Sequence, residues 1–362
     1  MPTEIDTLTA LDRALADRAS LAGLRLQDLD LRAREEQLLA LDDFEGLVVL
    51  GGELSPRLEH HLRLGRAIIF PTGPRCPVDP YRARLYTPHE LYEGLDREGY
   101  AATPDSRAYR WSLDTATRHD AFVSLLRAIH DDSIGDALDE LVAGRRVVGV
   151  MGGHAVERGS QQYAAAARLG HALAEADLLV ATGGGPGAME AANLGAYCRT
   201  HDRLDAALAA LAAVPSFLPD VGAWAAVALD VRDEIVRDGG PARSVGVPTW
   251  FYGHEPPNVF GDGIAKFFSN ALREDGLLAR CNAGVVVLPG AAGTVQEIFQ
   301  ATTRLYYGVG VNLAPLVLVG RDHWSSAIPV WPTLEALGAQ REMAQVVHLV
   351  DSLDEAVQLL TA

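Results

Sequence analysis

Lysine and cysteine are scarce in this chain. Of its 31 basic residues, Lys266 is the one lysine, which excludes Schiff-base and P-loop lysine mechanisms from nearly the whole sequence. The three cysteines, Cys76, Cys198 and Cys281, are far apart and form no Cys-x-x-Cys pair. This number and spacing indicate a reducing compartment, with neither a disulfide framework nor a structural zinc site.

Long apolar runs and basic stretches are also missing. The most apolar stretch, residues 204–229, contains Asp205, Pro215, Pro219 and Asp220, so it cannot cross a bilayer as one helix. The acidic N-terminus lacks the apolar core of a signal peptide. Because the net charge is −17, we expect a protein that binds neither membranes nor nucleic acids. The cysteine usage adds the expectation that it is cytoplasmic. A single phosphate remains compatible with this charge, since loop amides and helix N-termini bind phosphate locally.

The larger part of the chain, residues 141–362, alternates β-branched runs with Ala/Leu-rich segments. The predicted strands are 145–151, 178–182, 244–248, 284–289, 315–320 and 346–350. The predicted helices are 163–176, 188–198, 264–279, 294–307 and 353–360. This alternation predicts an α/β fold with a Rossmann-like, doubly wound parallel sheet. Two further helical patterns form a predicted insertion at residues 200–242.

Residues 1–140 predict a smaller N-terminal α/β domain. Two apolar runs, 46–52 and 66–71, predict strands, and residues 55–64 between them predict a helix. Pro-rich residues 71–82 predict a loop, and residues 115–129 and 133–144 predict helices. This part of the sequence contains no catalytic motif.

The first candidate site motif is TGGGPGAME at residues 182–190, between a predicted strand and a predicted helix. Consecutive glycines let backbone amides approach an anion, and the helix adds its positive dipole end. The alternative is a tight turn without a ligand. A nicotinamide-binding fingerprint should follow the first strand, but that position reads MGGHAVERG.

The second motif is LPGAAGTVQEIF at residues 288–299, again a strand, a glycine turn and a helix. Glu297 lies one turn into that helix, near the edge at which open α/β sheets bind ligands. The alternative is a glutamate that only favours the helix dipole. His154 follows two glycines at the end of the first strand, and the loop HEPPN at 254–258 either lines the site or is a rigid connection.

Together, the two motifs resemble the Lonely Guy family of phosphoribohydrolases. MGGH at 151–154, GGGPGAME at 183–190 and EPPN at 255–258 are most similar to bacterial purine/pyrimidine nucleotide 5′-monophosphate nucleosidases. The resemblance covers roughly residues 145–350 without the insertion. It implies hydrolysis of the N-glycosidic bond of a nucleoside 5′-monophosphate to free base and ribose 5-phosphate, without metal or other cofactor, in a homodimer or larger even homo-oligomer.

The resemblance also assigns residues. It places the catalytic carboxylate at Glu297 and the catalytic arginine at Arg273, sixteen residues before Pro289 where the family has fifteen, with Arg280 as the fallback. Two positions depart from the family pattern, Ala291 at a motif glycine and Glu274 at a lysine. The expected substrate-binding residues are Gly183, Gly184, Gly185, Gly187, Met189, Gly290, Gly293, Thr294, His154, Glu255 and Asn258.

Three functions differ in how well they fit these residues. The leading hypothesis is the nucleosidase, because a carboxylate can stabilise the positive charge that develops on the sugar or activate water. The alternative is a non-catalytic carrier that binds a nucleotide or a phosphorylated cofactor in the same loops. A DNA-processing protein is disfavoured by the acidic charge.

Overall fold

The computed structural model describes residues 4–17, 20–70, 76–115, 120–235, 240–251, 255–308 and 313–361. The chain forms two compact units. Unit 1 comprises Met1–Arg84 and Thr115–Asp136, and unit 2 comprises Leu85–Asp114 and Ala137–Ala362. Sequence composition predicts one boundary at residue 140, whereas residues 85–114 belong to unit 2 because their side chains bond to its loops.

Unit 1 contains a four-stranded parallel sheet in the order β1-β2-β3-β4. Its strands are β1 (Glu4–Ile5), β2 (Arg25–Gln27), β3 (Val48–Leu50) and β4 (Ile68–Phe70). Its helices include α1 (Leu8–Asp17), α2 (Glu35–Leu39) and α3 (Pro56–Leu64), with a 3-10 turn at Leu31–Arg34. Ser55 caps α3 by accepting a hydrogen bond from Leu58 N at 3.1 Å. Strands β3 and β4 and helix α3 therefore lie within the residue ranges predicted for them.

Unit 2 is built on a seven-stranded parallel sheet in the order β11-β10-β9-β5-β6-β7-β8, as far as the described residues show. Its strands are β5 (Val147–Met151), β6 (Leu179–Thr182), β7 (Ser244–Gly246), β8 (Gly263–Ile264), β9 (Gly284–Val287), β10 (Leu316–Val319) and β11 (Val347–Val350). The chain runs from central β5 to one edge, then returns to β9 and runs to the other edge. The Rossmann-like doubly wound sheet is confirmed, and its strand order reverses between β5 and β9.

The remaining helices follow α3 along the chain, and α7 continues from unit 1 into unit 2. The first group is α4 (Pro88–Leu91), α5 (Leu95–Glu98), α6 (Pro104–Leu113), α7 (Ala121–Val142), α8 (Gln161–Glu175) and α9 (Ala188–Tyr197). The second group is α10 (His201–Leu211), α11 (Val221–Glu234), α12 (Asn270–Arg280), α13 (Ala292–Tyr307), α14 (Trp331–Gly338) and α15 (Leu353–Thr361). A π-helical turn, His323–Ala327, and 3-10 turns at Tyr100–Ala102 and Glu342–Gln345 complete the set. Within the described ranges, each helix is too short or too polar to cross a lipid bilayer.

The predicted start of one helix was wrong. The helix predicted at 264–279 begins only at Asn270, where Ser269 accepts a hydrogen bond from Leu272 N at 3.4 Å. The apolar residues before it form β8 and a buried loop, because an apolar run alone does not separate a buried strand from a helix. The helices predicted at 115–129 and 133–144 are one helix, α7, and residues 116–119 lie outside the described residues.

Candidate functional site

The candidate site lies where the strand order reverses, at the carboxyl ends of β5, β6 and β9. Gly153, two residues after β5, donates its N–H to Pro289 O at 3.2 Å and accepts a hydrogen bond from Ala188 N at 3.1 Å. The two predicted glycine motifs therefore flank one short segment, residues 152–154. Open α/β sheets bind ligands at this position.

The first glycine loop, residues 183–187, has a backbone that requires glycine. Gly184 has a φ of +71°, and a Cβ there would lie 2.6 Å from Pro248 Cδ. Gly184 N donates to Thr182 Oγ1 at 2.9 Å, and Gly184 O accepts from Asn258 N at 2.8 Å. Gly187, with φ +73°, precedes the first turn of α9. The loop is therefore held in a single shape above the sheet.

A buried amide network supports this loop from below. Asn193 Oδ1 accepts hydrogen bonds from Thr182 Oγ1 at 2.6 Å and from Asn258 Nδ2 at 3.0 Å. Asn258 Nδ2 also donates to Gly185 O at 3.0 Å. Asn258, expected to bind substrate, thus holds the loop through its amide. Sequence reasoning missed Asn193, although a lone asparagine in the apolar helix α9 was a usable signal.

The second glycine loop leads into α13. Its Gly290 carbonyl lies 3.0 Å from His323 Nε2, and Thr294 is buried. Ala291, which replaces a family glycine, has a φ of −121°, so alanine is unstrained there. Gly293 has open space around it, since a Cβ at that position would meet no atom within 4 Å. The alanine at position 291 is therefore compatible with the backbone conformation of the loop. The contact of His323 with this loop was not indicated by any sequence motif.

Glu297 and Arg273 meet beside these loops. Arg273 Nη1 lies 3.5 Å from Glu297 Oε1, and both side chains are largely buried. Arg273 Nε donates to Val247 O at 2.8 Å, and its Nη2 donates to Gly183 O at 3.3 Å. One guanidinium thus links α12, the first glycine loop and the carboxylate. Arg280, the alternative candidate for the catalytic arginine, instead forms a bidentate ion pair with Asp139, at 2.8 and 2.6 Å.

The surroundings of Glu297 change its acidity. Burial raises the pKa of Glu297 to about 7, against the opposing effect of Arg273, and the negative charges of Glu274 and Glu255 add to the rise. Glu274, which stands where the family has lysine, accepts hydrogen bonds from Asn270 Nδ2 at 2.9 Å and from Gln296 Nε2. The site therefore carries a second buried carboxylate in place of a cation.

His154 and Glu255 form a pair over the first loop. His154 Nδ1 lies 3.1 Å from Glu255 Oε1, and this hydrogen bond raises the pKa of His154. A Cβ on Gly185 would lie 2.9 Å from Met189 Cε and 3.6 Å from Glu255 Oε2, which places Met189 and Glu255 beside that loop. Tyr252 and His254 lie outside the described residues.

The aromatic residue Trp250 packs in the interior, with its ring centroid 4.5 Å from that of Phe268, whereas Phe251 is 61% exposed. Among the described residues, no group of three or more His, Cys, Asp or Glu side chains is arranged to hold a metal ion. The described site contains carboxylates, one guanidinium, an imidazole and backbone amides.

Comparison with known proteins gives a partial match. Residues 145–200 match the family model described as LDcluster4, SLOG cluster4 family. No curated protein matches the chain. Two solved structures are similar to it: the Moco carrier protein from Chlamydomonas reinhardtii, with 18% identity and a TM-score of 0.36, and TM1055, a structural genomics target, with 21% identity and a TM-score of 0.36. Each similarity covers 60% of this chain and 98% of the other. The segment from β5 through α9, which carries the first glycine loop, thus resembles the SLOG group of families.

Proposed function

We propose that the protein is a nucleoside 5′-monophosphate nucleosidase that releases free base and ribose 5-phosphate. The observation that carries this proposal is a buried carboxylate, Glu297, held 3.5 Å from Arg273 beside two glycine loops at the point where the strand order reverses. A buried carboxylate beside two such loops combines a group for proton transfer with loops suited to binding an anion. The two loops supply the phosphate contacts, since each leads into the N-terminus of a helix.

The reaction follows from the charge that must be stabilised. Water adds to C1′ of the ribose while the C1′–N bond breaks, and the bonding electrons leave with the base. Glu297, when ionised, faces the positive charge that develops on the sugar and accepts a proton from the attacking water. That proton, or one from solvent, then neutralises the departing base. A pKa of about 7 suits this exchange at neutral pH.

Arg273 acts on Glu297 in this proposal more than on the substrate. Two of its nitrogens donate to the backbone carbonyls of Val247 and Gly183, and the third lies between Glu274 and Glu297, 3.6 and 3.5 Å away. Its planar fork is therefore already occupied by protein groups. Arg273 orients the Glu297 carboxylate and partly stabilises its negative charge in the buried site.

A panel of purine and pyrimidine nucleoside monophosphates, assayed for both base and ribose 5-phosphate, tests the activity. Glu297→Gln keeps the shape of the side chain and removes the charge, so we expect turnover to fall by at least about 100-fold while nucleotide binding is largely kept. Glu335→Gln, an exposed change on α14, is the matched control and should leave turnover unchanged. Full activity in Glu297→Gln would contradict the role assigned to Glu297. A panel that yields no products would contradict the proposed nucleosidase activity.

A carrier that binds a phosphorylated ligand without cleaving it is the second candidate. The crowding of carboxylates favours it, because Glu274 and Glu255 both raise the pKa of Glu297 and so favour its neutral form, in which a carboxyl donates a hydrogen bond and does not act as a base. This candidate predicts thermal stabilisation by a nucleotide or a pterin phosphate with no product formed. Product formation from any monophosphate would exclude it.

A further inference from the structure

A cavity of about 220 Å³ lies between the segment after β5, the first glycine loop and the helical insertion. One wall comes from the connection between α10 and α11, which includes Phe217 and Leu218, and the opposite wall comes from Ala155 and Val156. Pro186 and Gly187 of the glycine loop form a third side. The lining is therefore mainly apolar. The cavity is closed by the insertion at residues 200–242, which the family resemblance does not cover.

The floor of this cavity is a buried ion pair. Arg158 Nε donates to Glu190 Oε2 at 3.0 Å and its Nη2 donates to Glu190 Oε1, and both side chains are almost fully buried. Arg158 Nη1 donates to Trp224 O at 3.1 Å, and the guanidinium lies 4.5 Å from the centre of the Trp224 ring. The charges of this pair cancel, and Glu157, which also lines the cavity, adds a negative charge that disfavours a phosphate there. Apolar walls over a neutral polar floor suit a flat, uncharged heterocycle.

The cavity adjoins the candidate catalytic site. His154, whose ring is paired with Glu255, and Gly187, which directly precedes α9, both line it. The segment 152–154 also contacts Pro289 of the second glycine loop, so this segment touches both the cavity and that motif. Its volume lies below the roughly 300 to 1,000 Å³ of pockets that hold a whole drug-sized ligand, and it therefore accepts one part of a ligand.

We propose that this cavity receives the base of the bound nucleotide, and that the insertion selects which base is accepted. The inference rests on the proposed function, since it needs a nucleotide with its phosphate on the glycine loops. Ribose and phosphate remain on the side of Glu297, and the ring extends past His154 toward Phe217 and Leu218. Selectivity among bases is then a property of residues 215–218 and of Ala155.

Two substitutions that fill the cavity from opposite walls test this assignment. Ala155 is exposed at the rim and Ser216 is half-buried in the insertion, so Ala155→Trp and Ser216→Trp should fold. We expect each to raise KM for the accepted monophosphate at least about 10-fold, while the inhibition constant of ribose 5-phosphate stays within about twofold. Ala209→Trp, an exposed change on α10 outside the cavity, should alter neither value.

The outcomes separate this inference from the function on which it rests. A wild-type protein that cleaves monophosphates but keeps its KM and its base preference in both folded tryptophan variants would overturn the base pocket and leave the nucleosidase standing. If both variants bind the nucleotide and ribose 5-phosphate more weakly by the same factor, the base pocket would also be overturned. The cavity would then hold the sugar phosphate. A wild-type protein that neither binds nor cleaves any monophosphate would overturn both proposals.

Discussion

Glu297 is subject to two opposing effects at the scale of a single residue. Burial of its carboxyl group disfavours the charged form, while the guanidinium of Arg273, 3.5 Å away, favours it. Burial dominates, and the pKa settles at about 7. A general base is most effective when its pKa lies near the working pH, so the site is suited to proton transfer in neutral solution.

This pKa predicts the pH dependence of the proposed reaction. The ionised carboxylate is the active form of a base, and it predominates above the pKa of about 7. Between about pH 6 and pH 8 we therefore expect kcat/KM to rise roughly tenfold. The measurement is a pH profile for one accepted monophosphate, with mixed buffers at constant ionic strength. A profile that is flat or falls over this range would show that ionised Glu297 is not the limiting base.

The sequence identified Glu297 as a candidate residue but did not predict the groups that surround it. A glutamate one turn after a glycine loop is visible in the letters alone, because loop and helix are local structures. Its partner Arg273 and the buried Glu274 lie on a different helix, α12. Their effect on the pKa of Glu297 depends on distances that only the packing of α12 against α13 creates.

At the scale of one element, the first glycine loop depends on a position that only glycine occupies without strain. Gly184→Ala would place a Cβ at positive φ, 2.6 Å from Pro248 Cδ and 2.8 Å from Val247 N. We expect the free energy of unfolding to fall by about 2 kcal/mol or more. Chemical denaturation followed by fluorescence measures this value.

Gly293→Ala is the matched control for that prediction. Gly293 lies in the first turn of α13, its φ is not positive, and a Cβ would meet no atom within 4 Å. We expect its stability to stay within about 1 kcal/mol of the wild type. Equal losses in the two variants would show that the backbone of the first loop is not the cause.

The short edge elements show where local patterns carry too little information. Strands β1 and β8 have two residues each, which is too short for an alternation of apolar and polar residues to appear. The buried strands β5, β9 and β10, by contrast, are nearly continuous apolar runs rich in valine and were predicted. Parallel strands covered on both faces produce such runs because every side chain is buried.

At the scale of the whole molecule, the lone lysine ties residues 85–114 to the sheet of unit 2. Lys266 Nζ donates to Asp105 Oδ1 at 2.5 Å, and Trp250 Nε1 donates to the same oxygen at 2.9 Å. Tyr92, from the same segment, donates its hydroxyl to Pro257 O at 2.6 Å. These buried bonds explain why a stretch inside the predicted N-terminal domain belongs to unit 2.

Removal of one partner from this buried ion pair should be costly. In Lys266→Met the charge of Asp105 stays buried without its cation, so we expect a loss of about 3 kcal/mol in the stability of unit 2. Arg321→Met, which removes an exposed pair with Asp351, is the control and should cost less than about 1 kcal/mol. Thermal unfolding of both variants gives the comparison. Equal melting temperatures would show that Lys266 does not hold the segment in place.

The sequence by itself determined the class of fold, the two glycine loops and the candidate carboxylate. Buried strands, glycine turns and helix starts depend mainly on residues that are neighbours in the chain. Only the tertiary structure decided that Arg273 is the arginine beside Glu297, that Asn193 and Asn258 support the first loop, and that residues 85–114 pack with the sheet of unit 2. These groups are separated by tens of residues in the chain, and their contacts depend on how helices and loops pack across the sheet, which no local pattern encodes.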